Sequence, residues 1–192
     1  MSSASVPSYG KRENIELTER RAKQSNQDAC VCVFNHVGIS VPDCEAAVAW
    51  YSSVFGLRLL KPVLHLKREQ FPGAPIFKLF DDALQEFKLA WLGTGHSVGL
   101  EIFEFIDPCH RTPEGPAFDY SRGGVFHIAM TVTDPEKLCR EVVKAGGSRM
   151  GELIPMPMGN AVAYCQDPWG NAIELLTTSF ANMVANGAPK DD

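Results

Sequence analysis

The chain has 192 residues, 45% of them apolar and 21% charged, which is enough for one globular domain with a sizeable core. Its formal charge of −5 and the lack of any basic block longer than Lys11-Arg12 or Arg20-Arg21 leave no footprint for a phosphate backbone, so nucleic acid is not an expected partner. No apolar run approaches the roughly 18 residues that span a bilayer, and the first 30 residues lack a signal-peptide core, so no membrane association and a cytoplasmic location are expected.

Residues 1–29 are rich in Ser, Asn, Gln, Lys, Arg and Glu and poor in large apolar side chains. They read as a flexible N-terminal extension, because little burial is available to offset their ordering entropy. Residues 30–178 read as one domain of two halves, module one over 30–106, a linker over 107–124 and module two over 125–178, with a flexible tail over 179–192.

Cys30 to Val41 is dense in β-branched and apolar residues and closes on Pro42-Asp43, so it reads as the first strand. Asp43 stands where an N-cap belongs. The apolar spacing of Ala46, Ala47, Val48, Trp50, Tyr51, Val54 and Phe55 then predicts a helix up to Gly56, placed as a C′ glycine. Leu57 to Leu66 is the next expected strand, followed by a Pro/Gly-broken insert over Arg68 to Phe80. Phe87 to Leu92 and Val98 to Phe105 are two further strands joined across Gly93 to Ser97.

After a linker rich in Pro and Gly the pattern restarts. Phe126 to Val132 is a strand, Asp134-Pro135 supplies an N-cap and a proline at the first helical position, and Gly146-Gly147 stops the helix. Ser148 to Leu153, Ala161 to Gln166 and Ala172 to Thr177 complete the second half. The fold class is therefore α+β, two tandem βαβββ modules with flanking helices.

The two halves share more than their element order. His36-Val-Gly-Ile-Ser-Val-Pro-Asp43 is echoed by His127-Ile-Ala-Met-Thr-Val-Thr-Asp134, an offset of 127 − 36 = 91 residues. Each half also ends on a strand with a carboxylate between apolar neighbours, Glu101 in Gly-Leu-Glu-Ile-Phe and Glu174 in Ala-Ile-Glu-Leu-Leu. A charge on such a strand is costly unless it is paired or bound to a metal. The His-to-Glu separations are 101 − 36 = 65 and 174 − 127 = 47, and the excess falls where module one carries its insert. If the halves pack about a pseudo-twofold axis, two imidazoles and two carboxylates form a mixed nitrogen and oxygen site for a divalent first-row metal.

Other polar candidates read as ordinary. Glu104 falls on the opposite side of its strand from Glu101, where a solvated carboxylate is expected. His65, His96 and His110 have no counterpart in the repeat and read as loop or surface residues. Tyr164 and Cys165, on a strand of the second half, read as core packing, with the open side of the sheet as the alternative, and Phe71, Phe77, Phe80, Trp91, Phe103 and Phe118 read as core or as the lining of an apolar pocket. The six cysteines contain no Cys-x-x-Cys and read as free thiols.

His-Val-Gly-Ile-Ser-Val-Pro-Asp at 36–43, Gly-Leu-Glu-Ile-Phe at 99–103, Phe-His-Ile-Ala-Met-Thr-Val at 126–132 and Asp-Pro-Trp-Gly-Asn-Ala-Ile-Glu-Leu at 167–175, taken together and in order, resemble the vicinal oxygen chelate superfamily. That superfamily holds glyoxalase I, methylmalonyl-CoA epimerase, extradiol dioxygenases and resistance proteins. The resemblance implies an open, cup-like mixed β-sheet and a divalent metal ion (Zn, Ni, Co, Mn or Fe) held by His36, Glu101, His127 and Glu174. It implies a small substrate that chelates through neighbouring oxygens, and a homodimer. With a carboxylate at both Glu101 and Glu174, the expected activity is a glyoxalase-like lyase or isomerase in which one of the two moves a proton next to a carbonyl. A metal-free binding or resistance protein and an Fe(II) extradiol-type dioxygenase are the alternatives. The chain lacks the paired arginines by which glyoxalase I holds glutathione carboxylates, which puts a glutathione adduct in doubt.

Overall fold

The computed structural model describes residues 32–112 and 118–187. The N-terminal extension, Cys30 at the start of the first expected strand, part of the linker and the last five residues lie outside the described residues. The described residues from Asn35 onward form one unit.

Module one runs β1 (His36–Ser40), α1 (Cys44–Phe55), β2 (Arg58–Leu59), β3 (Leu64–Lys67), α2 (Ile76–Leu79), β4 (Glu86–Gly93) and β5 (Gly99–Asp107). Module two runs β6 (Ile128–Thr131), α3 (Pro135–Lys144), β7 (Ser148–Met156), a 3-10 turn at Pro157–Gly159, β8 (Asn160–Gln166) and β9 (Ala172–Leu176), and α4 (Phe180–Gly187) follows. The first sheet is ordered β1-β5-β4-β2, with β3 also on β4, and the second β6-β9-β8-β7. In both, the opening strand pairs in parallel with the last one and the remaining pairs are antiparallel. The expected duplication is thus a topological one, and each module keeps its own open sheet.

The helix caps follow from sequence. The Asp43 carboxylate accepts from Ala46 N and the Asp134 carboxylate from Lys137 N, each satisfying an orphan donor of the first turn. Gly56 closes α1 at φ 68°, where a Cβ would be strained. Gly147 is required for a different reason, since a Cβ there would lie 2.4 Å from the Gln166 carbonyl oxygen.

Three segments differ from expectation. The strand expected over Leu57 to Leu66 is two short pieces, because the turn at Leu60 to Val63 contains Pro62, which cannot donate to a ladder. The insert is more ordered than its composition suggests. It is centred on Arg68, whose guanidinium donates to the carbonyls of Phe77, Asp81 and Leu84 and lies 4.8 Å from the Phe77 ring centroid. Phe77, Leu84, Phe87 and Leu89 then form a small core, while Phe71 and Phe80 are exposed. Beyond Ser179 the chain forms a two-turn helix where fraying was expected, and Met183 lies against Met156, Pro157 and Leu176.

The two helices meet in the principal core. Ile39, Val41, Leu100 and Ile102 of the first sheet and Ala163, Cys165, Ile173 and Leu175 of the second are buried together with Cys44, Ala47, Trp50, Tyr51, Cys139 and Val142 of the helices. Trp50 Nε1 donates to the Ala145 carbonyl at 2.9 Å, and the Tyr51 hydroxyl donates to the Asp167 carboxylate at 2.8 Å. Asp167 is itself buried and accepts from the Trp169 and Asn171 amides. One face of each sheet is therefore committed to a shared helical interior. By the alternation of strand side chains, Glu101 and Glu174 stand on the other faces.

Candidate functional site

In module one, His36 pairs with Gly99 and Gly38 with Glu101 across the parallel β1–β5 ladder. Histidine and glutamate are thus diagonal neighbours on one face, each opposite a residue with no side chain. Their Nε2 and Oε2 atoms are 3.3 Å apart. Each group's other polar atom is also engaged. His36 Nδ1 lies 2.6 Å from Asn35 Oδ1. Trp91, directly opposite Glu101 on β4, donates its indole N–H to Glu101 Oε1 at 2.9 Å.

Module two repeats the arrangement. His127 immediately precedes β6, Ala129 pairs with Glu174, and His127 Nε2 lies 3.3 Å from Glu174 Oε2. Tyr164 stands opposite Glu174 on β8 as Trp91 stands opposite Glu101. Burial, and then the neighbouring Glu174 carboxylate, push the Tyr164 phenol up to about 12. His127 Nδ1, by contrast, is buried and has no hydrogen-bond partner among the described residues, and the ring is flanked edge-on by Phe126 and Tyr164.

The four expected ligands are therefore assembled as two pairs within the chain and not as one quartet. Among the described residues, the set of three potential ligands within 4.8 Å of one another is Asp43, Glu45 and Glu104. That cluster belongs to the opposite, helix-facing side of β5. Lys88 bridges Glu45 and Glu104 at 3.0 and 3.2 Å, Glu104 accepts from Cys44 N, and Asp43 caps α1, so its charges are already compensated by the helix start. Glu104 faces away from Glu101 as expected, yet it is largely buried rather than solvated.

Sequence reasoning did not single out Asn35, and it read Trp91 as core or pocket lining and Tyr164 chiefly as core packing, without linking either to a glutamate. A usable signal existed for the last two, because 101 − 91 and 174 − 164 both equal 10. A shared spacing across a hairpin puts both aromatics at one repeat position. Among the unmatched histidines, His65 pairs with Glu86 at 2.7 Å and His110 contacts Ser40 at 2.9 Å.

Each pair offers one imidazole nitrogen and one carboxylate oxygen side by side, a donor chemistry that fits half of a mixed shell around a divalent first-row ion. The unpartnered His127 Nδ1 adds that this ring is not there to complete a local hydrogen-bond network.

Two βαβββ modules, each presenting a His/Glu pair on the open face of its sheet, define a duplicated-module α+β protein. The chain belongs to the glyoxalase/bleomycin resistance protein/dioxygenase superfamily, whose family model matches residues 33–175. It is similar to lactoylglutathione lyase of Salmonella typhimurium, 25% identical over 148 residues that cover 76% of this chain and 93% of the relative. It is also similar to 2-epi-5-epi-valiolone epimerase of an Actinomyces species, 29% identical over 160 residues and 81% of each chain. Among solved structures, a glyoxalase family protein from Bacillus cereus superposes with a TM-score of 0.63 at 18% identity, over 79% of this chain and 96% of that one. No helix among the described residues is long and apolar enough to cross a membrane.

Proposed function

We propose that this chain is a metal-dependent lyase or isomerase of the glyoxalase kind, its divalent ion held by His36 and Glu101 of one copy together with His127 and Glu174 of a second. The observation that carries the reading is the matched pair, Nε2 3.3 Å from Oε2 in both modules, at one register position of one repeated topology. The shared helical core holds the two pairs of a single chain apart, so a homodimer is the arrangement that supplies each pair with its missing half. The names of the relatives, a lyase and an epimerase, support an enzyme over a binding protein.

When bound, the ion supplies Lewis-acid stabilisation to neighbouring oxygens of a small substrate. The chain's own residues do the rest. Glu101 or Glu174 takes a proton from the carbon beside the carbonyl and returns it. Trp91, Phe103 and Phe105 stand on the same face as Glu101, the two phenylalanines stacked at 5.6 Å, and favour a substrate with an apolar body over a glutathione adduct.

The test is metal content after purification without added metal. Wild type retains a divalent ion, and His127→Ala and Glu174→Ala lose it. Mixing His36→Ala with His127→Ala chains is expected to restore one site per dimer, because one pairing of modules is then unmutated. Metal content that is identical in wild type and both single variants would sink the reading, and no restoration on mixing would sink its two-chain form.

A further inference from the structure

We infer that Asn35 and Trp91 are positioning residues that hold the module-one pair in the orientation a metal ion needs. The inference rests on the metal reading above and goes beyond it, because neither residue belongs to the expected ligand set. It stands on what each partner is able to do chemically.

An amide oxygen only accepts, so Asn35 Oδ1 at 2.6 Å requires the proton on His36 Nδ1. The ring is thereby turned with Nε2 toward Glu101 Oε2, 3.3 Å away. An indole N–H only donates, so Trp91 at 2.9 Å requires Glu101 Oε1 to act as an acceptor. It also occupies that oxygen, leaving Oε2 as the one turned toward the imidazole. Together the two partners engage the outer atoms of the pair and turn Nε2 and Oε2 toward one another, the orientation in which both can serve as ligands of one ion.

Both partners are fixed by backbone. The Asn35 carbonyl accepts from Gly99 N at 2.9 Å, pinning the residue to the start of β5, and the Trp91 carbonyl accepts from Leu60 N at 2.9 Å. Their side chains thus act from rigid strands. Module two lacks an equivalent for Asn35, since Phe126 stands in its place and His127 Nδ1 has no partner among the described residues. At the Trp91 position it has Tyr164, whose rotating hydroxyl can donate or accept and so fixes the Glu174 carboxylate less strictly than an indole N–H does. Module one is the half-site prepared in advance.

The experiment is titration of the chelator-treated full chain with Co(II), followed by the visible absorption of the bound ion, alongside thermal melting without metal. Trp91→Phe and Asn35→Ala are each expected to weaken Co(II) binding about ten-fold or more, the range typical of lost outer partners, and to change the absorption band. Asn35→Asp, which keeps an acceptor beside His36, is expected to retain binding. A purely structural role predicts a lowered metal-free melting midpoint with unchanged Co(II) affinity, and that result overturns the inference. His36→Ala and Glu101→Ala separate the two levels. If they lose the ion while Trp91→Phe and Asn35→Ala bind as wild type does, only the positioning role falls. If all four bind as wild type, the metal reading falls with it.

Discussion

The two modules are alike in scaffold and unlike at the open face. Each starts with a strand, caps its helix with an aspartate three residues before the bonded amide, and closes on a strand whose central glutamate stands 3.3 Å from a histidine. The difference lies one shell out. Module one surrounds its pair with an amide oxygen, which only accepts, and an indole N–H, which only donates, whereas module two offers a phenol and leaves an imidazole nitrogen with no partner among the described residues. Repetition preserved the positions that build the sheet and the pair, and let the groups that tune the pair diverge.

The scaffold half of this comparison breaks most easily in the shared core. Ile102 and Leu175 each follow a strand glutamate and are fully buried. Truncating either to alanine is expected to cost about 2–5 kcal/mol, and a single melting transition in both variants would show that the modules unfold together. Two separate transitions would contradict a common interior.

A smaller effect tests the seam. Tyr51→Phe removes the bond to Asp167 and is expected to cost about 2 kcal/mol, read by denaturant unfolding at neutral pH. Burial first, and then Asp167, raise the Tyr51 phenol well above 10.0, and burial pushes the Cys44 and Cys165 thiols up to about 12. A raised folded-state value in an acid means stability that is full below the unfolded value and is lost as pH climbs toward the folded one. Unfolding free energy should accordingly decline from about pH 9 upward, and less steeply in Tyr51→Phe than in wild type. A flat profile would contradict neutral burial of these groups.

The smallest effect sharpens the contrast between the half-sites. Tyr164→Phe deletes a hydroxyl that can rotate and so holds the Glu174 carboxylate less firmly than a fixed indole N–H, and its Co(II) affinity should fall by less than the roughly ten-fold expected of Trp91→Phe. Equal losses would make the two outer shells equivalent in spite of their chemistry.

Much of this architecture was legible in the sequence because it is local. Alternation located the strands of both modules, Asp43 and Asp134 announced the helix starts, and the repeat singled out His36, Glu101, His127 and Glu174 before any packing was known. What escaped notice depends on neighbours in space. Strand alternation tells which residues share a face but not which faces of two modules meet, and the burial of Trp50 and Tyr51 against Ala145 and Asp167 decided that. The ordering of the insert depended on one arginine reaching three carbonyls, a pattern without sequence periodicity. Tyr164 resembled core filler because aromatic residues on strands usually are, and only its register with Glu174 reassigns it.

The Tyr51–Asp167 bond has a consequence for how the molecule must be made. Half of that buried contact is synthesised 116 residues before the other, so the nascent first module carries an unsatisfied phenol and a bare aromatic patch until the last turn of the second emerges. A ribosome stalled between the two would leave a sticky intermediate for chaperones, and a version of the chain cut in the linker should survive only if both fragments are produced together.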